Sequence, residues 1–297
     1  MSKSPAKNRI YLFIVSLLLI ASVAVTGCGK GAGTEADSSK EELSGSITAV
    51  GSSALQPLAE KAAQDFMAKN PQAKVQVQGG GSGVGLTQAF QGAAHIGNSD
   101  IFADEKLKPE EAATLVDHKV AVVGFATVVN PQVSVDNLTQ QQLVDIFTGK
   151  ITNWNEVGGQ DLKVVIINRP TSSGTRASFK KYGLNGAEEA AGKALTEDSS
   201  GTVKKTVADT PGAISYLALS YINDNTVKPL KYGGVEPTAE NIAAGTYPIW
   251  SYEHMYTKGE ATGLTKAYID YILSPDVQNS VVKSLKFIPI TDMKASR

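Results

Sequence analysis

Four times in this 297-residue chain an apolar run stops at a turn built from glycine, hydroxyl and charged residues, and a new segment begins. Ile47-Thr48-Ala49-Val50 runs into Gly51-Ser52-Ser53, after which Leu55, Leu58, Ala59, Ala62 and Phe66 recur at helical spacing up to Asn70-Pro71. The alternating Lys74 to Gln78 runs into Gly79-Gly80-Gly81-Ser82-Gly83 and a short helix around Leu86 to Phe90. Ala94 to Gly97 runs into Asn98-Ser99-Asp100, and Leu162 to Ile167 into Asn168-Arg169-Pro170-Thr171-Ser172-Ser173-Gly174-Thr175. Strands that hand over to helices through polar turns predict an α/β sheet with its ligand groups at the carboxyl ends of the strands. Ser53 is the expected N-cap of the first helix, with Pro57 tolerated in its first turn. No period of 20 to 50 residues recurs, which excludes a solenoid.

The rest of the body follows the same logic. The apolar run Val120 to Val129 is long enough to leave one lobe and enter another, and the aromatic, alternating stretch Pro248 to Tyr256 is a candidate return crossing. Residues 139 to 147 read as helix, Gly212 to Tyr216 as strand, and Ala261 to Leu273 and Asp276 to Lys283 as helices divided by Ser274-Pro275. The first 27 residues are different. Lys3, Lys7 and Arg9 precede a 16-residue apolar run, Ile10 to Val25, too short for a bilayer span of about 20 residues and shaped as an export signal. Cys28, the one cysteine of the chain, follows Val25-Thr26-Gly27 and has no internal disulfide partner. This junction resembles a lipobox, which implies cleavage before Cys28 and a diacylglyceryl group on its sulfur. Residues 29 to 44 are glycine, serine, threonine and charge, the composition of a flexible tether.

Cleavage would leave 25 basic against 29 acidic residues, a net −4, a poor balance for nonspecific nucleic-acid binding. Any bound anion must be held by local groups. The glycine turn at 79 to 85 carries no lysine, so it is not a nucleotide P-loop, and Ser82-Gly83-Val84 breaks the G-x-S-x-G nucleophile pattern. Ser178-Phe179-Lys180-Lys181 matches S-x-x-K with no partner motif. His95, His118 and His254 are spaced as packing or surface residues, not as metal ligands. Trp154 and Trp250 read as core or lobe-face residues. No catalytic residue, cofactor or metal is expected.

The turns themselves offer hydrogen-bond donors. Ser53, Ser82, Ser173 and Thr175 carry hydroxyls, Ala54 and Gly174 offer backbone N–H groups, and Arg169 presents a guanidinium fork matched to two oxygens of a tetrahedral anion. Asp100 is the odd member. A carboxylate in an anion site repels its ligand unless that ligand brings a proton, as phosphate does at neutral pH and sulfate does not. Matched against unmatched polar pairs in a buried site discriminate by about 10⁴ to 10⁵, or roughly 5 to 7 kcal/mol. Arg176 is expected to face solvent or to support Asp100.

Taken together and in order, Val50 to Ser53, Gly79 to Gly83, Ser99-Asp100 and Arg169 with Ser173-Gly174-Thr175 resemble the phosphate-binding protein of the bacterial high-affinity phosphate transporter. The likeness runs from about Ser46 to the end of the chain. It implies a two-lobed periplasmic-binding-protein-like fold of type II, with two hinge crossings and the ligand in the cleft between lobes. The expected lobes are 46–125 plus 252–297 and 126–251, after a signal peptide at 1–27 and a lipidated Cys28 with its tether at 28–45. By resemblance, Ser53 and the N–H of Ala54 make the first contact to inorganic phosphate, with Ser52 able to share or replace it. Ser82 makes the second contact, Asp100 accepts the ligand's proton, and Arg169 pairs with both ligand and carboxylate. Ser173, Gly174 and Thr175 contribute from a helix start. The implied function is capture of phosphate outside the cell by a lipid-anchored monomer that delivers it to the permease of an ATP-binding-cassette importer. An extracytoplasmic phosphatase and a surface phosphate sensor or adhesion protein are the alternatives.

Overall fold

A computed structural model describes residues 43–190, 195–197 and 199–297, so the export segment, Cys28 and most of the tether lie outside the described residues. Within them, β1 (Gly45–Gly51) pairs in parallel with β2 (Ala73–Gln78) on one side and β3 (Ile96–Ser99) on the other, so the first three turns emerge along one edge. α1 (Gln56–Lys69) connects β1 to β2 and buries Leu58, Ala59, Ala62, Ala63 and Phe66, the stripe that its spacing predicts. Its start differs from expectation. Leu55 occupies the cap position without a side-chain bond, and it is Ser52 Oγ, not Ser53, that accepts from the N–H groups of Ala54 (3.0 Å) and Leu55 (3.1 Å).

α2 (Ser82–Gln91) begins four residues earlier than its apolar spacing suggests. Propensity argues against helix at Gly83 and Gly85, but packing requires them. A Cβ on Gly85 would lie 2.6 Å from the carbonyl oxygens of both Val50 and Asn98, so only glycine lets this helix lie against β1 and β3.

After α3 (Pro109–Ala112), β4 (Leu115–Val129) spans the molecule. Its residues 115 to 124 pair antiparallel with β11 (Trp250–Lys258), which also pairs with β3, and from Phe125 onward it pairs with β8 (Ala213–Ala218) and β9 (Lys228–Pro229). Val120 to Val129 are buried throughout, on both faces. β6 (Val165–Asn168) and β7 (Leu195–Thr196) extend the sheet beyond β8 in parallel, giving nine strands in the order β2-β1-β3-β11-β4-β8-β6-β7 with β9 beside β4. β5 (Asn137–Leu138) and β10 (Lys231–Tyr232) form a separate pair. The architecture is the expected mixed α/β fold in two lobes, with β4 passing from one to the other.

The second set of helices is α4 (Gln140–Phe147), α5 (Gly174–Tyr182), α6 (Ser200–Asp209) and α7 (Ala239–Ala243). α8 (Gly263–Leu273), the short α9 (Pro275–Val277) and a π-helical turn over Gln278–Val282 close the chain over the first set. β6 is shorter than the apolar run from Leu162 predicts. Residues 162 to 164 are drawn off by the loop before them, with Trp154 N–H donating to the Leu162 carbonyl (2.9 Å) and Val164 N–H to Thr152 (2.8 Å). Trp154 itself is fully buried and bonds Gly212 through its indole N–H (3.0 Å); Trp250 is also buried. No helix among the described residues is long and apolar enough to cross a membrane.

Candidate functional site

The four turns converge. Ser52, Ser53, Ser82, Asp100, Arg169, Ser173 and Thr175 are all at most 3% exposed, and at the strand ends they form two adjoining hydrogen-bonded groups, one about Asp100 and one about Arg169. Ser52 and Ser53 sit between β1 and α1, Ser82 is the first residue of α2, and Asp100 follows β3 directly. Arg169 follows β6, and Ser173 caps α5, accepting from Arg176 N–H (3.2 Å), so Gly174 and Thr175 occupy its first turn. Helix starts expose N–H groups and the positive end of the helix dipole. Several of them directed at one point form an anion site.

Arg169 is the hub. Its Nε donates to Ser173 Oγ (2.8 Å), Nη1 to Ser200 Oγ (3.1 Å) and Nη2 to Ser53 Oγ (3.0 Å), so one guanidinium ties together groups from three helix starts. Asp100 is the complementary hub: Ser52 Oγ donates to Oδ1 and Thr175 Oγ1 to Oδ2 (2.8 Å), while its own N–H donates to Ser82 Oγ (2.9 Å). Both carboxylate oxygens accept from hydroxyls, and each retains capacity for a further donor. The Ala54 N–H, expected to face the ligand, is bonded to Ser52 Oγ in this conformation.

The turns also touch through their backbones. Gly83 N–H donates to the Ser172 carbonyl (2.9 Å), and a Cβ on Gly174 would lie 2.1 Å from Ser82 Oγ. The Pro170-Thr171-Ser172 loop is closed by Ser173 N–H on the Pro170 carbonyl (3.0 Å), which presents Ser172 to the glycine turn. Arg176 neither faces solvent nor reaches Asp100. It donates to the Arg169 carbonyl and pairs with the buried Glu189 (3.3 Å), so it braces the loop that carries Arg169. Glu189 is further held by Tyr216 Oη (2.7 Å), and burial, opposed by these partners, pushes its carboxyl upward.

Three members escape sequence reasoning. Ser200, first residue of α6, bonds both Arg169 and Ser53 Oγ (3.1 Å); the signal was present in Ser199-Ser200-Gly201-Thr202 followed by Val203 and Val207 at helical spacing. Tyr221 donates to the Ser53 carbonyl (2.7 Å), and burial pushes its phenol up to about 12. Glu253, in β11, lies fully buried against Asp100, and only the tertiary fold places it there. The histidines take no part: His95 bonds Thr48, His118 bonds Thr257, and His254 pairs with Asp117 (2.7 Å). A cavity of about 340 Å³ lined by Leu219, Ile222, Pro229 and Lys286 shares no residue with the cluster. Among the described residues no three His, Cys, Asp or Glu side chains are grouped to hold a metal.

Residues 35–276 match the model of a PBP superfamily domain. The chain is 53% identical to the phosphate-binding protein PstS of Bacillus subtilis over 98% of its own length and 97% of that protein. A candidate phosphate ABC transporter substrate-binding protein from Clostridium perfringens, solved with phosphate bound, superposes with a TM-score of 0.77 at 34% identity, covering 83% of this chain and all of the other. An ABC-type phosphate transport receptor from Vibrio cholerae gives 0.65 at 30% identity, with 82% and 99% covered.

Proposed function

This chain belongs to the PBP superfamily and, within it, to the PstS phosphate-binding proteins, and from that premise we propose that it captures inorganic phosphate and delivers it to the permease of an ABC importer. The observation that carries the reading is the pairing of two buried hubs of opposite charge, Arg169 and Asp100, each ringed by hydroxyls from helix starts. Arg169 supplies the positive fork, and Ser53, Ser82, Ser173, Thr175 and the N–H groups of Ala54 and Gly174 supply donors. Asp100 accepts the proton that distinguishes phosphate from sulfate. Ser52, already bonded to Asp100, orients that carboxylate. The protein is a binder, not an enzyme: the site hydroxyls bond a carboxylate, a guanidinium and one another, an arrangement that holds an anion without attacking it.

The proposed lobes are 46–125 plus 252–297 and 126–251. This division is supported by β4, which exchanges partner strands between Gly124 and Phe125. Donors from both sides then make closure over the ligand favourable, because only the shut form makes all contacts at once. The basic and apolar N-terminus with Gly27-Cys28 supports export and a lipid anchor at Cys28, and the mature protein is proposed to act as a monomer outside the membrane.

Calorimetry on the exported body tests the reading. Phosphate should bind at micromolar or tighter affinity, sulfate should bind at least a hundredfold more weakly, and Asp100→Asn should narrow that gap. Equal binding of sulfate to the unaltered chain would refute the role of Asp100.

A further inference from the structure

Asp100 does not stand alone at the end of β3. The antiparallel ladder of β11 with β3 pairs Met255 with Asn98 and ends at His254 with Ser99, and just past it, where β11 is irregular between Glu253 and His254, Glu253 lies beside Asp100. Ser251, two residues back on the same face of β11, donates its hydroxyl to the Asp100 carbonyl, as does Ser178 of α5 (3.3 Å), fixing β11 and Asp100 together. Glu253 is completely buried, its carboxyl lies beside that of Asp100, and among the described residues no N–H or hydroxyl donor of another group reaches either of its oxygens. Two ionised carboxylates in contact and out of water are not tolerated; one must hold a proton. Asp100 already accepts from the hydroxyls of Ser52 and Thr175, whereas no donor among the described residues reaches Glu253, so the proton belongs on Glu253.

We propose that Glu253 is a further ligand-governing residue of the phosphate site: it works as a neutral acid opposite Asp100, and its ionisation sets the alkaline limit of anion capture. The inference rests on the phosphate reading above. In the neutral state Glu253 leaves a single negative charge on the pair and has an O–H to offer the Asp100 carboxylate, which supports Asp100 as acceptor of the ligand's own proton. Once Glu253 ionises, two negative charges face the incoming anion.

The surroundings supply little to offset that second charge. From β4 the cross-strand neighbour of Glu253 is Ala121, α2 contributes only the hydroxyl of Ser82 to the cluster, and α5 contributes Ser178 and Thr175. Among the described residues the charged and titratable groups about the pair are Arg169, which bonds the hydroxyls of Ser53, Ser173 and Ser200 among its partners, and the phenol of Tyr221. Burial first and then the Asp100 charge push the Glu253 carboxyl well above the ordinary carboxylate range. The sign follows: the raised value favours the neutral form in the fold. Its contribution to stability is full below the ordinary glutamate value and is lost as pH rises through the raised one, while its contribution to binding by the fold is lost only as pH passes the raised one.

The test is phosphate titration calorimetry on the wild-type body and on Glu253→Gln, from neutral pH to the alkaline limit of folding, read as the ratio of their Kd values. This ratio cancels the titration of phosphate itself. Wild-type Kd should rise by about tenfold per pH unit beyond the ionisation of Glu253 while the glutamine variant lacks that limb, whatever its affinity at neutral pH. Coincident profiles up to the pH of unfolding would overturn the inference. If Glu253→Gln does not fold, ¹³C-glutamate NMR of the wild type decides, since the Glu253 carboxyl shift must move at the same pH as Kd. A Glu253 already ionised at neutral pH, or a rise in Kd without that movement, would sink it. Failure of the unaltered chain to bind phosphate at any pH would instead remove the phosphate reading, leaving the carboxyl shift to report on the neutral acid alone.

Discussion

Arg169 and Asp100 show how much a side chain's partners decide. Each was readable in the sequence as a charged residue in a polar turn, and the turn alone would equally have suited a helix cap. Their burial changes that balance, since a fully buried charge needs several partners, and here the partners are hydroxyls able to turn toward a ligand. Arg169→Ala should weaken phosphate binding by about 2 to 5 kcal/mol, between tens- and thousands-fold in Kd by calorimetry, because it removes a buried cation bonded to Ser53, Ser173 and Ser200. Lysine should rescue only part of the loss, since an ammonium cannot reproduce the planar fork. Gly174→Ala should abolish measurable binding and cost about 1 to 3 kcal/mol of stability in a denaturant titration, because its methyl would lie 2.1 Å from Ser82 Oγ. An alanine variant that binds normally would mean the two helix starts are less closely packed than described.

At the scale of elements, the site is a meeting of helix starts. Those of α1, α2 and α5 were legible because each follows an apolar strand through a turn rich in glycine and serine. That of α6 carries the serine turn and the helical spacing but lacks the strand signal, because β7, the strand before it, is only two residues long and gives no apolar run to mark the handover. The exact start of α2 also escaped, for a physical reason. Propensity reads Gly83 and Gly85 as breakers, while the fold uses the missing Cβ to bring the helix onto two strands. Ser173→Ala tests an element and a contact at once. Loss of the cap alone should lower stability by about 1 kcal/mol in thermal melts, and phosphate affinity should fall as well because Arg169 Nε loses its partner. A variant that loses stability but keeps full affinity would reduce Ser173 to a cap.

For the molecule as a whole, β4 is the continuous piece, with its first ten residues paired to β11 and the rest to β8 and β9. Ligand that bridges two groups of strands joined this way should stabilise the entire body. At a hundredfold excess over Kd, phosphate should add about 2.7 kcal/mol, roughly 5 to 10 °C in melting temperature, and sulfate at the same concentration should add almost nothing. Small-angle scattering should show a smaller radius of gyration with phosphate than without it; an unchanged radius would argue against closure.

What the sequence by itself determined is the local grammar: which runs are strands, where they end in donors, that the body is α/β, and that a carboxylate accompanies an arginine. These follow from periodicity, turn chemistry and hydrogen-bonding capacity, which are properties of neighbours along the chain. Only the tertiary structure decided that Ser200 and Tyr221 join the cluster, that Arg176 braces the loop that carries Arg169, and that Glu253 lies across from Asp100. Each of those depends on strand register and on burial, and a side chain's protonation and partners are set by what the sheet brings beside it from far along the chain.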